Sequence, residues 1–143
     1  MGTGKDYFSV AENDYLFFEF DIKHGRVGNP LCSASQNICE KYLKHIVDRY
    51  CNADIDLTSV LKTHTLRVMQ KFIQQYIPDF RCNWEVVLKA DGYYFNTRYP
   101  GDDYFDVDQE DVDNCWAAVN EVRNAVLNFM AEQDNKEKEE NTT

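Results

Sequence analysis

From Asp6 to Lys23, apolar residues recur at helical spacing. Ala11, Tyr15, Phe18 and Ile22 fall on one face, with Glu12, Asp14, Glu19 and Asp21 between them. That period marks an amphipathic helix. His24-Gly25 closes it, because glycine readily takes the left-handed conformation of a helix C-cap. Asn29 as N-cap and Pro30 at the first helical position open a second helix, expected to reach about Cys51. Leu31, Ala34, Ile38, Tyr42, Ile46 and Tyr50 form its main stripe, and Cys39, Leu43 and Val47 widen it. So wide an apolar face predicts a central helix with neighbours on two sides.

Asp56 or Thr58 is placed to cap a third helix reaching about Tyr76, lined by Leu61, Leu66, Met69, Ile73 and Tyr76 and ended by Pro78. A short fourth helix is expected over about Asp79–Ala90, gathering Trp84, Val87 and Leu88, although Trp84–Leu88 also suits a short strand. The last helix begins with Asp108 as N-cap and Asp111 three residues on, an acidic capping box. It is expected to continue to about Ala131 on Val112, Cys115, Trp116, Val119, Val122, Val126, Phe129 and Met130. From Glu132 the chain is polar and charged, with nothing to bury. The pattern predicts an all-α fold: an antiparallel up-and-down helical bundle of four long helices plus one short helix. The bundle would span 6–131 as one domain, followed by a disordered tail over 132–143.

A chain of 143 residues can bury a core without staples. Its net charge of −10 works against general affinity for a phosphate backbone, so RNA and DNA are disfavoured as nonspecific partners. The acidity is partly local: Tyr99–Asp113 holds Asp102, Asp103, Asp106, Asp108, Glu110, Asp111 and Asp113 and no base. Five cysteines, an odd count without a CxxC pair, fit reduced thiols in a cytoplasmic protein. No apolar run approaches the ~20 residues of a membrane span.

The stretch Asp91–Asp108 stands out. It joins two helices yet carries Tyr93, Tyr94, Phe95, Tyr99, Tyr104, Phe105, Arg98 and a Pro100-Gly101 turn, where bundle connections usually run about 2–8 residues. Arg98 suits a phosphate or carboxylate, or pairs with Asp102, Asp103 or Asp106 and pins the segment. The aromatics could stack on a base or pack against a bundle end or a partner. The acids lack the calcium-loop spacing and several favour the start of the last helix. Elsewhere, Glu40 and His64 lie on adjacent helices and could hydrogen-bond across the bundle. Lys41 and Lys44 read as a solvated face or, with Arg67, as an anion-binding rim. Cys32 and Cys39 share a helix face but have no second pair for zinc. The terminal Gly2–Lys5 lacks the first glycine and the preceding strand of a phosphate loop. No cofactor and no metal are expected.

Three stretches together resemble the HEPN family (higher eukaryotes and prokaryotes nucleotide-binding domain). The second helix carries a polar Gln36 followed by Glu40, Lys41, Leu43 and Lys44; the third carries His64, Leu66 and Arg67; Arg98-Tyr99-Pro100 precedes the last helix. The resemblance covers roughly residues 6–131. It implies an antiparallel bundle that commonly pairs into dimers, and in many members a ribonuclease using an arginine followed four to six residues later by a histidine. Here His24, His45 and His64 all precede Arg98, and that spacing lands on Asp103, Tyr104 and Phe105. A carboxylate there repels phosphate, and with a reference pKa of ~3.9 it is a poor acid near neutrality. The expectation is therefore a non-catalytic HEPN-like binding module, a homodimer, with a nucleotide or phosphate-bearing ligand and a nucleotidyltransferase partner of toxin–antitoxin type. Arg98, Tyr99 and Tyr104 are the ligand contacts, and His64, Arg67 and Lys44 the rim. A divergent ribonuclease of a toxin or defence system and a purely structural dimerisation unit are the alternatives.

Overall fold

The computed structural model describes residues 6–93, 100–101 and 106–142. Local chemistry sets the helix starts. Asp6 accepts the Ser9 N–H at 2.8 Å and begins α1 (Tyr7–Lys23). Gly25, at φ +72°, turns the chain out of it. Next comes α2 (Asn29–Tyr50), with Gly28 rather than Asn29 at the N-cap position. The Asn29 side chain instead accepts the Val107 N–H at 2.8 Å, tying the start of α2 to the approach to the last helix.

The single third helix expected from the periodicity is two: α3 (Thr58–Lys62) and α4 (Leu66–Tyr76). Asp56 starts α3 by accepting from the Thr58 N–H at 2.9 Å. Thr63 then turns extended, with ψ at 150°, and its hydroxyl accepts the Thr65 N–H at 3.2 Å. Such local side-chain bonds compete with helix continuation. The fourth helix is shorter than expected: α5 (Trp84–Val87) and a 3-10 turn over Leu88–Ala90. No strand occurs among the described residues.

The last helix, α6 (Gln109–Thr142), opens with the anticipated acidic capping box. The Asp111 N–H donates to Asp108 and the Asp108 N–H to Asp111, both at 3.0 Å. It does not stop near Ala131 but continues to Thr142, so the described part of the polar tail is an exposed helical extension.

Helix α2 is central, packed against α1, α6, α3 and α4. Ile38, Tyr42, Leu43 and Ile46 from α2, Val119, Val122 and Val126 from α6, and Leu66, Met69 and Ile73 from α4 are buried together. Each such side chain contributes about 1.5–3 kcal/mol. One polar tie crosses three helices. The Tyr42 hydroxyl donates to Glu12 at 2.6 Å, and Arg123 grips the same carboxylate at 2.8 and 3.2 Å. Arg123 holds the Glu12 carboxyl below the ordinary carboxylate range. Among the described residues no helix is long and apolar enough to cross a membrane.

Candidate functional site

Four-residue spacing puts Gln36, Glu40 and Lys44 on one face of α2, and all three are buried. Charged side chains are seldom buried without partners, and the break between α3 and α4 supplies them. The exposed turn at His64 presents its carbonyl to Gln36 Nε2, which donates at 2.6 Å, and Gln36 also reaches Glu40 at 3.5 Å. His64 Nδ1 lies 3.3 Å from Glu40 Oε2, and Lys44 Nζ lies 4.0 Å from the same oxygen. The Glu40–His64 contact anticipated from residue types is thus present. An Nδ1–H donating to Glu40 sets the imidazole tautomer with Nε2 as the acceptor.

Burial sets the electrostatics. It raises the Glu40 pKa, opposed by His64, Lys44 and Gln36, and it lowers the Lys44 pKa, opposed by Glu40. Both groups are pushed toward neutrality, as low-dielectric surroundings demand. The Glu40 side chain is 2% exposed and that of His64 54%. The pair is therefore an accessible imidazole backed by a sequestered carboxyl, an arrangement suited to orienting a histidine for acid–base work or for a ligand.

The segment leaving this site is anchored at its roots. Asp91 accepts the Leu66 N–H at 2.9 Å, supplying from a distance the cap that α4 lacks locally. Gly92 takes a φ of +93°, and buried Tyr93 donates its hydroxyl to Asp111 at 2.8 Å. On the far side are the Val107–Asn29 bond and the Asp108–Asp111 box. The starts of α2, α4 and α6 therefore hold the two roots, and helix starts favour negative charge. Asp91, Asp108 and Asp111 are already committed to two of them.

Of the expected ligand residues, Lys44 and His64 meet through Glu40. Lys44 is buried and points inward, which corrects the reading of a solvated face; Lys41 is half-buried and paired with Asp14. Arg67 is exposed on the first turn of α4 and, among the described residues, joins no part of the Glu40 network. Arg98, Tyr99 and Tyr104 lie outside the described residues. Sequence reasoning missed Asn29, Asp91 and Tyr93 as anchors, whose partners lie far along the chain. No three His, Cys, Asp or Glu side chains among the described residues converge as a metal site, and all five cysteines are free thiols.

Compared with known proteins, residues 5–133 match the family model described as HEPN domain. No curated protein and no solved structure matches the chain.

Proposed function

Because the chain belongs to the HEPN domain family, a family of nucleotide-binding and ribonuclease type, we propose that it is a non-catalytic binding module. It pairs with a second copy, takes a nucleotide or other phosphate-bearing ligand near Arg98, and works beside a nucleotidyltransferase. The observation that carries this reading is the placement of the histidines. Arg98 has no histidine four to six residues beyond it. His24 is exposed against the Phe20 ring, His45 is buried beside Phe8 and Tyr50, and His64 is committed to Glu40. An arginine so placed binds phosphate but lacks the acid–base partner a ribonuclease needs.

Pairing draws support from the outer face of α1. Leu16, Phe17 and Phe20 are 63%, 70% and 57% exposed there. The charges along this helix and its rim are cancelled in ion pairs: Asp14 with Lys41, Glu19 with Lys23 and Asp21 with Arg26. The test of ligand binding is a thermal-shift screen against AMP, ADP, ATP and GTP. At least one nucleotide is expected to raise the melting temperature, and Arg98→Ala is expected to abolish that rise. A shift that survives the substitution removes Arg98 from the site.

A second reading, a divergent ribonuclease, rests on the Glu40–His64 pair, whose geometry would serve proton transfer. Its test is incubation with structured and single-stranded RNA, with and without Mg2+. No cleavage under either condition removes it.

A further inference from the structure

From Leu57 to Pro78 the chain holds no acidic residue, although the whole carries 25. That run builds α3 and α4. Lys62 and Lys71 are exposed along it, as is Arg67, which shares the Lys71 side of α4 at four-residue spacing. Beside this basic row runs an apolar one at the same spacing. Val68 is 45% exposed, Phe72 is half-buried, and the Tyr76 ring lies tilted at 43° against Phe72 with ring centroids 4.7 Å apart. Val68, Phe72 and Lys62 line a groove of about 550 Å³ between the two helices, together with Asp56, whose carboxylate accepts from the Thr58 N–H and hydroxyl. An amphipathic helix normally turns its apolar face inward. Here Leu66, Met69 and Ile73 already do so, and Val68 and Tyr76 form a second apolar row outside the core.

We propose that the α3–α4 face is a docking surface for an acidic, amphipathic segment of a partner protein. Charge complementarity selects this occupant. A second copy of the chain would have to meet the face with a different, acidic patch, a head-to-tail contact rather than the isologous one of a two-fold dimer. A nucleic acid needs many phosphate contacts for affinity, whereas this face offers few cations around an apolar row. Protein interfaces, by contrast, have apolar and aromatic centres with charged rims. The net charge of the chain repels an acidic partner at long range. At physiological salt that repulsion is screened beyond about 8 Å, so the local face decides the contact. The proposal stands independently of the ligand and pairing readings above.

The test uses the full chain and a fluorescein-labelled synthetic peptide in which leucines at helical spacing alternate with glutamates. The control peptide has lysine for every glutamate, and a poly-uridine oligonucleotide represents nucleic acid. Fluorescence anisotropy is expected to show binding of the acidic peptide and not of the control. NMR shifts should map that binding to Val68 and Phe72. The double variant Lys62→Glu/Lys71→Glu should weaken binding at least about tenfold, and Val68→Ser, which changes no charge, should weaken it through the apolar row alone. Circular dichroism and melting temperature establish that each variant is folded. Equal binding of the two peptides, or peptide binding unchanged by the variants, overturns the proposal. So does oligonucleotide binding stronger than peptide binding and lost in the double variant.

Discussion

A carboxyl withdrawn from water resists ionisation, and at Glu40 the contacts from His64, Lys44 and Gln36 only partly offset that resistance. His64 supplies the largest of these. His64→Ala is therefore expected to move the Glu40 pKa further upward, read by NMR titration of the side-chain carboxyl carbon, and to cost about 1 kcal/mol of stability. A Glu40 titration identical in the variant would show the two groups to be uncoupled. His45 presents the opposite sign of problem. Among the described residues its buried Nε2 has no hydrogen-bond partner, and burial lowers its pKa below 6.5, with Asp6 and Asp48 opposing and Arg49 assisting. The folded protein thus binds the proton less readily than the unfolded chain. The stability contributed by neutral His45 is complete above the unfolded pKa and is lost as pH falls toward the folded one. Urea denaturation at about pH 7 and pH 5 should show a smaller loss on acidification in His45→Leu than in the parent. At neutral pH that variant should be at least as stable, since it removes an unsatisfied polar atom.

At the scale of the element, α4 depends on a residue outside it. Thr65 gives it no side-chain cap, and Asp91 takes the Leu66 N–H in its place. Asp91→Ala is expected to cost about 1 kcal/mol, as for a lost N-cap, and to speed amide exchange in the first turn of α4 while the first turn of α6 keeps its protection. This dependence also explains what was legible in the sequence. The start of α6 and the end of α1 were readable because Asp108, Asp111 and Gly25 act within three or four residues, while α1 itself was placed by its apolar period. The split between α3 and α4 was not. Its local signal is only Thr63 and Thr65 inside an unbroken apolar period, and the decisive partners, Gln36 and Asp91, come from other parts of the chain. The site divides the same way. Glu40 and His64 could be paired from residue type and helix adjacency. Asn29, Asp91 and Tyr93 could not, because no short-range pattern announces a bond to a residue in another element. The continuation of α6 past Ala131 had no apolar period to reveal it.

Across the whole molecule the net charge of −10 is unevenly spread. Acids gather between Tyr99 and Asp113 and beyond Glu132; α3 and α4 carry none; the outer face of α1 carries both signs in pairs. Two copies of so acidic a chain repel, and an isologous contact presents the same patch from both sides. A neutral, apolar patch is the surface that incurs the least repulsion, and α1 supplies one. Phe17→Glu sets a charge at its centre without touching the core, since Phe17 is 70% exposed. Sedimentation equilibrium is expected to give a two-chain mass for the parent and a one-chain mass for this variant, with the helical circular dichroism signal unchanged. A parent that sediments as a single chain at tens of micromolar would end the pairing reading. Salt separates this contact from the one proposed on α3–α4. Added salt screens the mutual repulsion of two acidic copies and should tighten pairing through α1. The same salt weakens attraction between a basic face and an acidic segment. Opposite responses to one variable, measured on one protein, distinguish an apolar self-contact from a charge-guided partner contact.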